Sequence, residues 1–234
     1  MKRWIIFVFM ALYLAFSSVA YADAVKSRAM VKNIHWLGHD TFKITVDKTI
    51  YIDPFKIKSK DTADIILITH GHHDHCSPED IGKITGPKTL IITPQSCAEK
   101  ISGNIKVVKR EDNLDINGIT IEVVPAYNVN KQYHPRSADG VGYIFDIKGI
   151  KIYHAGDTDR IPEMKGFRKI NIALLPVSGK YVMTAEEAVL AALDIKPDIA
   201  IPMHYGAIIG SISDAQRFSE GLKGKVEVVI LSQE

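Results

Sequence analysis

The chain has 234 residues, 46% of them hydrophobic and 24% charged, with a formal net charge of +2. That composition excludes a disordered chain, and the near-balance of charge gives no general pull toward nucleic acid. Two cysteines are too few for a disulfide-built miniature fold.

Residues 1–22 begin Met1-Lys2-Arg3, continue through an apolar stretch from Trp4 to Phe16, and end in the small-x-small triplet Ala20-Tyr21-Ala22. This is the pattern of a secretory signal peptide, so the protein is expected to be exported, to a periplasm or outside the cell. The apolar core is short of the roughly 20 residues that span a bilayer, which leaves an uncleaved N-terminal anchor as the alternative. Residues 23–234 then form one domain, with no span remaining. Loss of Lys2 and Arg3 takes Lys+Arg from 29 to 27, equal to Asp+Glu, and no nucleic-acid partner is expected. A small-molecule substrate is; the oligomeric state is not encoded in any feature of the sequence.

Three short β-rich segments come first, Val31–Leu37, Thr41–Val46 and Thr49–Ile52, separated by polar turns and predicted to form an antiparallel meander. An apolar run at Ile65–Thr69 predicts a buried strand. Directly after it stands His70-Gly-His72-His-Asp74-His75, four metal-grade side chains within six residues. Loops at the C-terminal ends of buried strands are where α/β sheets hold their chemistry, and imidazole with carboxylate suits Zn, Mn or Fe better than Ca or Mg. His73 falls between ligands and is expected to point away from them. Cys76 follows His75 and is read as a small packed side chain, although a disulfide with Cys97 is open to an exported protein.

Ser77 and Pro78 predict a helix start. Strands are expected at Thr89–Thr93, Lys106–Lys109, Ile119–Val124, Val141–Ile147, Lys151–His154, Ile170–Pro176, Ile199–Pro202 and Val226–Leu231, with Asn117-Gly118 and Lys148-Gly149 as hairpin turns. Helices are predicted at 185–193, capped by Thr184 with Glu187 completing a capping box, and at 214–222. Many strands with helices interspersed argue for sheets packed face to face under helices.

Further donors belong at later strand ends: Asp157 in Gly156-Asp157-Thr158 and His204 in Met203-His204-Tyr205. With the His70–His75 loop, and with weaker echoes in Leu37-Gly38-His39-Asp40-Thr41-Phe42 and Ile52-Asp53-Pro54, the chain resembles the metallo-β-lactamase superfamily. The closer likeness is to its branch of ascorbate-phosphate-lactonase-like and uncharacterised metal-dependent hydrolases. The resemblance implies an α/β (α+β) fold, a four-layer αββα sandwich with metals along one edge. It assigns His70 and His72 to a first divalent ion, Asp74, His75 and His204 to a second, and Asp157 to both. Many members carry His where this chain has Asn128. His134, six residues on, is the candidate replacement, with Asn128 or water as the alternative.

His72 in place of Glu points to hydrolysis with zinc, manganese or iron being the alternatives, and Asp157 in place of Cys points away from antibiotic hydrolysis. The implied reaction is cleavage of an ester-like bond (lactone, phosphodiester or thioester) by a metal-bridged hydroxide, with Asp74 as general base and Asp157 holding the ions. Lys180, Tyr205 and Asn128 are candidate substrate contacts. His39, with Asp40 and Asp53, could lie behind the ligands, and His154 could brace one or simply pack; His35 is read as structural. A non-catalytic metal-binding protein, disabled at Asn128, is the competing reading.

Overall fold

The computed structural model describes residues 23–58 and 61–234; the leader reading of 1–22 lies outside them. Two sheets face each other. The first contains, in spatial order, β1 (Ile34–Gly38), β2 (Thr41–Thr45), β3 (Thr49–Ile52), β4 (Ile65–Leu67), β5 (Leu90–Thr93) and β6 (Asn104–Val107). The second contains β7 (Asn113–Ile116), β8 (Ile119–Pro125), β9 (Val141–Ile147), β10 (Ile150–His154), β11 (Ile172–Pro176), β12 (Ile199–Met203) and β13 (Glu227–Val228), in that order. Each sheet begins as an antiparallel meander and continues with parallel strands, from β3 onward in one and β10 onward in the other.

The period-two alternation of the strands splits their apolar side chains between two cores. Ile50, Ile52, Ile65, Leu67 and Ile92 face the space between the sheets with Ile121, Val123, Tyr143 and Phe145, while Tyr51, Ile66, Ile68 and Ile91 face outward. That outer face is closed by Ile81 and Ile84 of α2 (Pro78–Ile84) and Cys97 of α3 (Gln95–Ala98). α4 (Ala185–Ile195) and α5 (Ile212–Leu222) bury Ala188, Ala191, Ala192, Phe218 and Leu222 against the second sheet. A further helix, α1, covers 23–31. The result is the four-layer sandwich, helices outside and two sheets within.

Two helix starts follow the sequence signals, whereas α5 begins two residues before the expected 214, and α1 and α3 are helices where none was predicted. Ser77 Oγ accepts from the Asp80 N–H, and Thr184 with Glu187 forms the reciprocal capping box. Asn117-Gly118 and Lys148-Gly149 make their hairpins with positive φ at both residues, the twist-matched two-residue turn. β6 pairs two residues earlier than expected, and β7 is a strand where none was predicted. Of the predicted last strand, Glu227 and Val228 pair with β12 and the Val229 N–H still donates to Ala200 O; beyond them the chain reaches the first sheet, where the Glu234 N–H donates to Trp36 O.

Cys76 and Cys97 form a disulfide, correcting the packed-thiol reading. The sandwich brings α3 over the end of the histidine loop, with the two Cα atoms 5.9 Å apart, within the range a disulfide spans.

Candidate metal centre

Every candidate donor sits at one end of the sandwich, on a loop leaving a strand: His70–His75 after β4, His134 between β8 and β9, Asp157 after β10, His204 after β12. The backbone is bent sharply to present them. His39, Asp53, His134 and His204 all have left-handed φ, between 44° and 60°, a conformation rare for side-chain-bearing residues and concentrated at functional sites. Gly156 turns the chain just before Asp157 at φ 62°, where a Cβ would meet Val141 O at 2.9 Å and the Thr69 side chain at 3.0 Å. Only glycine fits there.

The ligand atoms converge in two overlapping groups. In the first, His72 Nδ1 lies 3.0 Å from His70 Nε2 and 2.9 Å from His134 Nε2. In the second, His75 Nε2 is 3.7 Å from Asp74 Oδ2, and His39 Nε2 is 3.1 Å from the same oxygen. Asp157 stands between them: Oδ2 is 3.3 Å from both His134 Nε2 and His204 Nε2, and Oδ1 is 3.4 Å from His75 Nε2.

Hydrogen bonds behind the site fix which imidazole nitrogens carry protons. The Thr69 hydroxyl donates to Asp53 Oδ2 at 2.6 Å, so its oxygen accepts from His70 Nδ1–H at 3.1 Å, which leaves His70 Nε2 as a lone pair. His134 Nδ1 faces the Tyr181 carbonyl at 3.2 Å and must donate, so its Nε2 is a lone pair as well. Both lone pairs point at His72 Nδ1, which has one proton at most. His75 Nδ1 donates to Asp53 Oδ2 at 2.8 Å, turning its own Nε2 lone pair toward Asp157 Oδ1; neither of those buried atoms has a hydrogen-bond partner. Facing lone pairs repel unless a cation lies among them. Their separations are close to the roughly 3.3 Å edge of a tetrahedron with metal–nitrogen bonds of about 2.0–2.1 Å. The donor set therefore fits divalent metal, with His70, His72 and His134 on one side, Asp74, His75 and His204 on the other, and Asp157 between.

The electrostatics split the donors: burial opposes charge on His75, but Asp157 and Asp53 outweigh it and hold that imidazole well above its ordinary value. Burial opposes charge on Asp157, but His204 and His75 outweigh it and hold the carboxyl well below the usual range. Burial lowers His204, yet Asp157 and Asp40 push it up to about 9. Burial, reinforced by the other imidazoles, drives His70 well below its ordinary value, the neutral form a ligand needs. Asp40 is fully buried behind His75 and His204, with both oxygens unpaired, and burial raises its carboxyl well above the carboxylate range.

Several residues hold the ligands without joining them. Asp53, buried, takes the Thr69 N–H at 2.7 Å besides Thr69 Oγ1 and His75. Ser178 Oγ lies 2.8 Å from His204 Nδ1. His154 Nε2–H donates to Asp40 O, and its Nδ1 accepts the Gly156 N–H, tying two site turns together. The sequence reading placed Asp53 behind the ligands with His39 and Asp40, and its bonds to Thr69 and His75 put it there. His73 turns outward against Phe55, and His35 pairs with Glu234 at the surface.

Asn128 stands behind His134, its Nδ2 3.4 Å from that imidazole's Nδ1, and not among the converging ligand atoms. Its Nδ2 donates to Tyr133 O at 2.8 Å and Tyr181 O at 2.6 Å, fastening the loop that carries His134, so the nitrogen missing at 128 is replaced six residues later. Arg110 fastens the same loop from outside, donating to the carbonyls of Ala126, Arg136, Ala138 and Gly140.

Two cavities open beside the donors, sharing His72, His134 and Asp157 as their common wall. One, of about 260 Å³, is lined further by Ser96, Lys100, Ala138 and Val141; the other, of about 230 Å³, by His73, Tyr133, Tyr181 and Ile208. The proposed substrate contacts lie elsewhere. Tyr205 is 3% exposed and packs on Trp36 with ring centroids 4.7 Å apart, because the left-handed turn at His204 sends the two neighbouring side chains in divergent directions. Lys180 is exposed and does not line either cavity, its ammonium standing 5.0 Å from the centroid of the Tyr181 ring, and Asn128 is committed to the backbone.

Residues 33–204 match the family described as the β-lactamase superfamily domain. A UPF0173 metal-dependent hydrolase of Thermococcus onnurineus is 33% identical over 86% of this chain and 96% of its own length. A second, from Thermoplasma volcanium, is 37% identical over 79% of this chain and 88% of its own. A crystal structure of a Parabacteroides distasonis protein classed as a metal-dependent hydrolase superposes with a TM-score of 0.78 at 36% identity, covering 86% of this chain and 93% of that one. The fold, the donor cluster and these likenesses agree: the chain belongs to the metallo-β-lactamase superfamily and is one of its metal-dependent hydrolases.

Proposed function

We propose that the protein is an exported hydrolase that cleaves an ester-like bond using two divalent ions, zinc foremost, with manganese or iron as alternatives. The observation that carries this is the cleft itself: His72, His134 and Asp157 are shared between two solvent-connected cavities, so substrate can reach the donors from either side. Structural zinc sites close their coordination, whereas catalytic ones stay accessible.

His70, His72, His134 and Asp157 would hold one ion, and Asp74, His75, His204 and Asp157 the other. Such ions supply Lewis acidity, making water a competent nucleophile near neutral pH and polarising the substrate carbonyl. The protein's part is positional. Asp53 and Tyr181 O keep His75 and His134 in the tautomers that present a lone pair. Asp74, held ionised by His39 and His75 against the opposing effect of burial, would take a proton from attacking water and pass it to the leaving group. Export is supported by the leader and by the Cys76–Cys97 disulfide, a bond at home in oxidising compartments.

The test is chelation followed by reloading, with metal per chain and turnover on lactones, thioesters and phosphodiesters measured together. Recovery of turnover as the second equivalent binds is expected. Two bound ions without turnover on any of the three would refute the reading.

A further inference from the structure

Two exposed apolar side chains stand at one side of the cleft. Tyr133 is 44% and Ile208 45% exposed, and both line the cavity of about 230 Å³ that ends on His72, His134 and Asp157. The Tyr133 and Tyr181 rings meet edge to face at 4.8 Å, forming a fixed aromatic corner over that cavity. Neither Tyr133 nor Ile208 reaches the core, so burial in the folded chain does not explain them. Apolar surface continuous with a catalytic cleft marks where a ligand sheds water.

Charge points the same way. Among the described residues no Lys or Arg lines this cavity. In the neighbouring one Lys100 is the sole Lys or Arg among the described residues, and its ammonium donates to Gly71 O. The Arg110 guanidinium is spent on four backbone carbonyls. Recognition of a phosphoryl group ordinarily uses the fork of Arg or a free Lys, and among the described residues neither lines the cavity that holds Tyr133 and Ile208.

We propose that the substrate is an uncharged carboxylic ester or thioester whose acyl part is apolar, a medium-length chain or an aryl group, seated on Tyr133, Tyr181 and Ile208. This rests on the ester-hydrolase reading above. Water oxygen bonds to the acyl carbon as the acyl C–O or C–S bond breaks. One water proton ends on the departing oxygen or sulfur, and the other leaves the acid product to solvent.

The test uses the metal-loaded protein and two readouts. Across acetyl, butyryl and octanoyl esters, kcat/KM is expected to rise at least about ten-fold from first to last, since each methylene buried contributes several-fold, with bis(p-nitrophenyl) phosphate slower than octanoyl ester. Calorimetry with octanoate and acetate compares the tail without turnover, as both share the carboxylate; octanoate is expected to bind about ten-fold tighter. Ile208→Ser and Tyr133→Ser, at exposed positions, should cut both octanoyl-to-acetyl ratios several-fold. Flat profiles, faster phosphodiester cleavage, or a dimer that Ile208→Ser dissociates would overturn the proposal. Absence of ester turnover with octanoate still preferred would instead refute the ester reading and retain the apolar seat.

Discussion

Reduction of the Cys76–Cys97 disulfide offers a perturbation whose size follows from the chain itself. The bond joins residues 21 apart in sequence, and closing a loop of that length removes unfolded-state entropy equivalent to about 3 kcal/mol at 25 °C. For a domain of this size each kcal/mol corresponds to roughly 2–4 °C, so the midpoint should fall by about 6–12 °C. Both sulfurs are buried in the outer core beneath α2 and α3, so substitution would mix a packing loss into the result. Reduction with a phosphine avoids this, and chelated protein removes any contribution from bound metal. Differential scanning calorimetry of oxidised and fully reduced protein, with thiols counted, is the measurement. A midpoint that moves by less than about 2 °C would show that the crosslink does not restrain the unfolded chain as reasoned.

Asp53→Asn keeps the shape of the buried carboxylate while withdrawing the charge that fixes His75; metal affinity should fall about 10–100-fold with the fold intact, read by titration against a chromogenic chelator. Asn128→Ala frees the Tyr133 and Tyr181 carbonyls from their shared donor, and should weaken one of two metal-binding steps about ten-fold while sparing the other in calorimetry. Asp80 accepts from the Lys56 and Ile57 N–H groups, Ser77 Oγ and Lys83 Nζ. Its replacement by Ala should cost about 2–3 kcal/mol in urea denaturation. Burial works against the Asp80 charge, but Lys83, Ser77 and the Lys56 N–H prevail and lower its carboxyl. The contribution is therefore full above the ordinary carboxylate value and lost as pH falls through the lowered one, so the wild-type advantage should persist at pH 5 and shrink below pH 3.8.

The strands were legible because most are apolar runs bounded by turn residues, and the metal loop because donors at that density follow a buried strand. His134 was legible only as a nitrogen displaced along the loop; what fixes it, Asn128 and Arg110 bonding to carbonyls, has no side-chain signature. β7 reads Asn-Leu-Asp-Ile and lies at an edge with its polar face outward, too short and too polar to announce itself. Tyr205 and Lys180 were misplaced for one reason: adjacency in sequence does not survive a left-handed turn, and both follow one, at His204 and Gly179. The disulfide depended on a meeting between α3 and the loop that only the packed sandwich supplies.

Arg110 grips main-chain oxygens, and those are present whatever residue occupies a position. The segment between β8 and β9 can therefore exchange its outward side chains, Gln132, Tyr133 and Ser137 among them, without disturbing the anchor that sets its path. Selectivity at the mouth is thereby uncoupled from the placement of His134, leaving descendants of this chain free to change what they accept while keeping how they react.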